Sequence, residues 1–194
     1  MARLAVFASG TGSNFVAIAA AITTAHRHSI EFLLCDVPGA PVLNRAEELK
    51  VPTVLMPYPR GQPRQAVEKK MVRHLERRGV DVVALAGFMK LLTPYFLQAF
   101  KGPVINLHPS LLPKYPGAHA IEESFRSADP DLGISVIRVD EGVDTGPVLL
   151  QKSFRRDGTE TRQQVETRIH ELEHQWFPRV VIRMLDEIEG VPQA

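Results

Sequence analysis

Residues 4–14 have the sequence LAVFASGTGSN, and they indicate the fold class of this chain. The run starts with uninterrupted apolar residues over a strand's length, as expected for a strand buried on both faces of a sheet. Gly10 and Gly12 then favour a tight turn. The Ala-rich residues 15–25 predict a helix. A strand, a glycine turn and a helix form the first half of a parallel βαβ unit.

The alternation of strand and helix continues through the first half of the chain. Residues 65–78 predict a helix because Val67, Met71 and Leu75 recur every four residues, and Gly79 ends it. The other segments predicted here are the strands 31–36, 51–56 and 80–86 and the helix 43–49. This order predicts an α/β fold with a doubly wound, mainly parallel sheet flanked by helices.

The second half of the chain breaks this alternation. The segments predicted here are the strands 104–106, 134–139 and 148–154 and the helices 120–127 and 161–189. The last two strands are expected to pair as a hairpin-like unit, which gives the sheet an antiparallel C-terminal portion. Pro178 is expected to kink or divide the last helix. Since no linker or repeat is evident, we expect a single domain over residues 1–194.

Composition excludes several classes of protein. The 23 Lys and Arg residues against 22 Asp and Glu give a net charge of +1, which argues against a nucleic-acid partner. No apolar run approaches the roughly 18 residues of a membrane span. Residues 9–12 interrupt the first apolar run too early for a signal peptide. The single cysteine, Cys35, fits a reducing cytoplasm, and its apolar neighbours predict a buried thiol.

The loop of residues 9–14 is the first candidate site. Its glycines allow close backbone approach to a ligand, and the N–H groups at the start of a helix favour an anion. A phosphate monoester site is the favoured interpretation; a dinucleotide site and an ordinary capped turn remain open. A dinucleotide fingerprint would need a third glycine where Phe15 stands, although Asp36 lies where a ribose-binding acid is expected.

Asn106 and His108 are the second candidate site, at the carboxyl end of a predicted strand. An amide donor beside an imidazole suits acyl-type transfer, because both can stabilise an oxyanion. The alternative is a histidine that merely bonds a loop carbonyl, and spacing alone favours that alternative. Residues 140–146 carry three acids, one of which would favour a charged His108 if it lay close by. A solvated acidic turn is the favoured interpretation from local sequence.

Residues 170–174, HELEH, match the zinc-protease motif. A catalytic zinc site needs a third protein ligand, and the acids that follow, Asp186, Glu187 and Glu189, are expected on the same or an adjoining helix. A chance match is favoured, and we expect no metal.

Residues 106–117, NLHPSLLPKYPG, resemble the phosphoribosylglycinamide formyltransferase family, folate-dependent enzymes of purine biosynthesis. The resemblance continues over most of the chain, through residues 9–14, 86–89, 140–147 and 173–174. It implies transfer of a formyl group from 10-formyltetrahydrofolate, a co-substrate, to the amine of glycinamide ribonucleotide. It further implies a cytoplasmic monomer or homodimer that needs no metal, nucleic acid or membrane.

The resemblance also implies three groups of site residues. The catalytic trio would be Asn106, His108 and Asp144. The ribonucleotide would be bound by Gly12, Ser13, Asn14 and Glu173. The folate would be bound by Arg64, Met89, Lys90, Leu91, Leu92 and the backbone near Asp140, with Arg64 directed toward the acidic tail. Members often carry Arg at the position of Lys90; the lysine keeps the charge but lacks the planar guanidinium. Many members also continue beyond position 194.

Overall fold

A seven-stranded sheet runs through the protein in the computed structural model, which describes residues 1–25 and 27–191. Positions 26 and 192–194 of the predicted domain lie outside the described residues. The strands are β1 (Arg3–Ala8), β2 (Ser29–Cys35), β3 (Thr53–Leu55), β4 (Val82–Leu85), β5 (Val104–His108), β6 (Asp131–Arg138) and β7 (Val148–Arg155).

The strand order is β3-β2-β1-β4-β5-β6-β7. All neighbours from β3 to β5 are parallel, whereas β5–β6 and β6–β7 are antiparallel. This arrangement confirms the predicted α/β fold with its antiparallel C-terminal portion. The chain passes from β1 to β2 on one side and returns to β4 on the other. That reversal creates a crevice at the carboxyl ends of β1 and β4, where open α/β sheets bind ligands.

Six helices among the described residues cover the two faces of the sheet. They are α1 (Ser13–Ala25), α2 (Pro41–Glu48), α3 (Arg64–Arg78), α4 (Pro94–Ala99), α5 (Ala120–Arg126) and α6 (Arg162–Ile188). Within β1, Leu4 and Val6 pack in the core with α1 and α6, and Ala5 and Phe7 pack in the core with α3 and α4. Alternate side chains point to opposite faces of a strand. Burial on both faces therefore explains the uninterrupted apolar run of β1.

One observed helix was not predicted, and the last helix is not divided at its proline. Helix α4 was not predicted, because it is only six residues long and buries a single side chain, Phe96. Helix α6 continues undivided through Pro178. Proline removes one backbone hydrogen bond from the helix. The burial of Phe177, Pro178 and Val181 in the core stabilises the helix before and after that position. No helix among residues 1–25 and 27–191 is long and apolar enough to cross a membrane.

Candidate active site

Two adjoining cavities open at the carboxyl ends of the parallel strands. The glycine-loop cavity, of about 360 Å³, includes residues 10–14 and Glu173 in its wall. The trio cavity, of about 320 Å³, includes Asn106, His108 and Asp144. The residues that belong to both walls are Gly87, Met89, Leu107, Pro109 and Ala118. Two ligands bound in these cavities would therefore meet at a shared boundary.

The turn before α1 depends on glycine at position 12. Gly12 has a φ of 78°, and a Cβ there would run into the side chain of Val42. The Gly12 carbonyl accepts the first helical bond, from the N–H of Val16 at 3.0 Å. Ser13 and Asn14 form the start of α1 and line the glycine-loop cavity. Backbone N–H groups in this first turn have no partner within the helix, which makes the turn suited to an anion.

Asp36 forms a hydrogen bond that stabilises the fold. It is buried, and its carboxylate accepts a 2.5 Å hydrogen bond from the Ser9 hydroxyl. The same hydroxyl accepts from the N–H of Met89 at 2.9 Å, which ties the loop after β4 to β1. The described walls of the two cavities do not include Asp36. The geometry therefore does not favour the dinucleotide interpretation.

Glu173 joins α6 to the start of α1 across the glycine-loop cavity. Its Oε2 accepts a hydrogen bond from Asn14 Nδ2 at 3.0 Å and lies 2.9 Å from His170 Nδ1. Glu173 is buried, whereas His174, the next residue along the helix, is exposed. The hydrogen bond to Glu173 raises the pKa of His170. In the zinc interpretation Glu173 would only be a spacer, yet it lines the cavity together with His170, whereas the described wall does not include His174.

The described residues hold no group of three or more His, Cys, Asp or Glu side chains placed to bind a metal ion. The rings of His170 and His174 stack with centroids 6.3 Å apart. Cys35 is buried, as predicted, and its thiol donates to the carbonyl of Val37 at 3.3 Å. Burial raises the pKa of this thiol, which keeps it protonated and poorly nucleophilic.

Strand β5 places Asn106 and His108 on the same face of the sheet, because they are two residues apart. His108 is buried, with Nε2 2.8 Å from the carbonyl oxygen of Tyr115 and Nδ1 3.4 Å from Asp144 Oδ2. A carbonyl oxygen only accepts, so Nε2 carries a proton. The other nitrogen, Nδ1, faces the Asp144 carboxylate, so both ring nitrogens lie beside hydrogen-bond acceptors.

The carboxylates of the acidic turn, residues 140–146, have different roles. Asp140 accepts from the N–H of Gly142 at 3.0 Å and from the hydroxyl of Thr145 at 2.8 Å, so it stabilises the turn itself. Asp144 has a φ of 53°, uncommon for a residue with a side chain. Its Oδ2 accepts from the N–H of Gly117 at 2.8 Å, and this bond fixes the carboxylate beside His108. The local expectation of a merely solvated turn is therefore wrong for Asp144.

The outer wall of the trio cavity is apolar and exposed. Met89 is 72% exposed, Leu91 56% and Val143 46%. Exposed apolar side chains gathered around a cavity mark a ligand site. Lys90 and Leu92 line the same cavity. Arg64 is absent from its described lining, but its guanidinium donates to the carbonyl of Leu91 at 3.4 Å, which places it at the rim.

Several residues at these cavities were missed by sequence reasoning. Those lining the glycine-loop cavity are His119, Glu122, Arg162, Glu166 and His170. His170 was identifiable, because it precedes Glu173 by three residues on a predicted helix and so shares its face. Arg162 and Glu166 were identifiable in the same way, because they precede His170 at intervals of four residues on α6. His119 and Glu122 come from a segment far from α6 in sequence.

Comparison with known proteins identifies the relatives of this chain. A family model described as formyl transferase matches residues 2–181. A phosphoribosylglycinamide formyltransferase of Bacillus subtilis (strain 168) is 41% identical over 186 residues, which cover 95% of either chain. Among solved structures, glycinamide ribonucleotide transformylase 1 from Geobacillus kaustophilus has a TM-score of 0.89 and 42% identity, covering 95% of this chain and 99% of that one. Phosphoribosylglycinamide formyltransferase from Streptococcus pneumoniae TIGR4 has a TM-score of 0.88 and 38% identity, with the same coverage.

The matches extend over the sheet, both cavities and the helix that carries Glu173. The chain therefore belongs to the formyl transferase family. Identity of about two fifths over nearly the whole length of both chains is more specific than the family model. Within the family, the chain is a member of the phosphoribosylglycinamide formyltransferases.

Proposed function

We propose that Asn106, His108 and Asp144 are the catalytic groups of this enzyme. Its reaction is that of the phosphoribosylglycinamide formyltransferases: the formyl group of 10-formyltetrahydrofolate passes to the amine of glycinamide ribonucleotide. The observation that carries the proposal is the contact of 3.4 Å between His108 Nδ1 and Asp144 Oδ2, in the wall of a cavity that adjoins the glycine-loop cavity.

The mechanism follows from these positions. The substrate amine attacks the formyl carbon, and the carbonyl oxygen becomes a tetrahedral oxyanion. The Asn106 amide is proposed to donate a hydrogen bond to that oxyanion. The His108 imidazolium would stabilise it through its positive charge, since both ring nitrogens already face Tyr115 and Asp144. The amine then loses a proton, N10 of the folate gains one, and the bond between N10 and the formyl carbon breaks. Asp144 keeps His108 charged through these steps and passes protons by way of a water molecule.

The glycine-loop cavity is proposed to bind the ribonucleotide. Gly12, Ser13 and Asn14 offer the first turn of α1 to the phosphate, where unpaired N–H groups and the helix dipole favour a dianion. Glu173 would contact the glycinamide portion, because its carboxylate is already fixed by Asn14 and His170. Its remaining acceptor capacity is then available to an amide or amine donor.

The trio cavity is proposed to bind the folate. Its apolar wall suits a flat heteroaromatic ring, and the residues that would contact it are Met89, Lys90, Leu91, Leu92 and the backbone near Asp140. Arg64 lies at the rim, where it would meet the acidic tail.

We propose that residues 1–194 act as one domain, since one family model spans residues 2–181. We propose that the enzyme is a monomer or a homodimer. We propose the cytoplasm as its compartment, since a lone buried cysteine suits reducing conditions.

Glu173→Ala is expected to raise the KM for glycinamide ribonucleotide by about tenfold or more, because it removes a buried acceptor and releases Asn14 and His170. His174→Ala is the matched control on the next residue. Its side chain is exposed, so both KM values should change by less than about twofold. Steady-state kinetics with each substrate varied in turn give the measurement. A metal site would instead be supported if His174→Ala lost activity and if the wild-type enzyme lost activity on chelation and regained it when zinc was added.

A further inference from the structure

Glu68 on α3 is a fully buried carboxylate that none of the roles above uses. The other residues that α3 buries are apolar: Val67, Met71, Val72 and Leu75. Burying a carboxylate costs free energy unless good donors satisfy it. Both of its recorded donors belong to Thr93: the backbone N–H, 3.0 Å from Oε1, and the hydroxyl, which donates to Oε2.

Thr93 lies between residues 89–92, called the folate loop below, and helix α4. It is the residue that precedes α4, and its carbonyl accepts from the N–H of Phe96 at 3.0 Å. A threonine at this position commonly caps the helix with its own side chain. Here the hydroxyl makes no such cap and bonds Glu68 instead. The contact therefore fixes the end of the folate loop more directly than it stabilises α4.

The folate loop is held at both ends. At its start, the N–H of Met89 donates to the Ser9 hydroxyl at 2.9 Å. At its end, Thr93 is held by Glu68, and one helical turn earlier on α3 Arg64 donates to the carbonyl of Leu91 at 3.4 Å. Arg64 and Glu68 are four residues apart and so lie on one face of α3. This face of α3 sets the backbone position of the loop that walls the trio cavity.

We propose that Glu68 is a positioning residue for 10-formyltetrahydrofolate, acting through Thr93 on the folate loop. The inference rests on the proposed function, in which this loop contacts the folate. Leu91 and Leu92, the loop residues nearest to Thr93, line the trio cavity and are absent from the described wall of the glycine-loop cavity. The effect should therefore fall mainly on the folate.

Glu68→Ala is expected to raise the KM for 10-formyltetrahydrofolate by about tenfold, because such a change corresponds to the loss of one hydrogen bond to a charged group. The KM for glycinamide ribonucleotide should change by less than about twofold. Thr93→Val should reproduce this selective effect, whereas Thr93→Ser keeps the hydroxyl and should restore the wild-type KM. Because Thr93→Val alters only one donor, it tests the contact even if Glu68→Ala does not fold.

Val72→Ala is the matched control, since it removes buried methyl groups from the same helix and leaves the polar contacts of Glu68 and Arg64 with the loop intact. It should lower the melting temperature and leave both KM values unchanged. Equal changes in both KM values in Thr93→Val, or a lower melting temperature with neither KM changed, would overturn the positioning role. Absence of formyl transfer in the wild-type protein would instead overturn the proposed function, so the two failures are distinguishable.

Discussion

His108→Ala is expected to lower kcat by about 10²-fold or more, because it removes the positive charge that is proposed to stabilise the oxyanion. The variant should fold, since the lost side chain makes polar contacts with Tyr115 and Asp144 and its removal leaves the sheet pairing of β5 intact. The measurement is kcat with both substrates saturating, accompanied by a thermal melt.

His28→Ala is the matched control for a buried histidine. His28 Nε2 lies 2.9 Å from Asp186 Oδ1, so this pair also joins a histidine to a carboxylate, but its described contacts lie outside both cavities. Removing one partner of a buried pair costs stability. We expect a lower melting temperature and an unchanged kcat. Equal losses of kcat in both variants would assign the His108 effect to folding rather than to catalysis.

Asn106→Ala is expected to lower kcat by about 10²- to 10³-fold, the range found when one oxyanion donor is removed. The KM values should change little, because the amide is proposed to act on charge that appears only in the transition state. Asn44→Ala, at an exposed position on α2, is the control for a lost amide. A large rise in either KM with kcat retained would make Asn106 a substrate-binding residue instead.

The sheet was predictable because its core strands bury both faces. Uninterrupted apolar runs such as residues 4–8 and 82–86 leave few alternatives to a central parallel strand. The observed strand β4, Val82–Leu85, is shorter than the predicted strand 80–86, because the outer residues of that segment belong to the connections before and after the strand. Helix α4 has too few residues to show a helical period, so pattern alone could not find it.

The site was predictable only in part. Strand geometry placed Asn106 and His108 together, and the structure shows that His108 also bonds the carbonyl of Tyr115, the alternative that spacing favoured. That contact and the one to Asp144 coexist on opposite ring nitrogens. Local sequence could not place Asp144 beside His108, because the contact needs a positive φ and a donor from Gly117. Only the family resemblance indicated it.

The measurement that tests this account most directly is a formyl-transfer assay of the purified wild-type protein with glycinamide ribonucleotide and 10-formyltetrahydrofolate. We expect formylglycinamide ribonucleotide and tetrahydrofolate to form in equal amounts, at a rate that depends on both substrates. The dephosphorylated nucleoside should be a far poorer substrate, because it lacks the group that the start of α1 binds. Release of formate at the same rate with and without the ribonucleotide would contradict the account, since the chain would then deliver the formyl group to water.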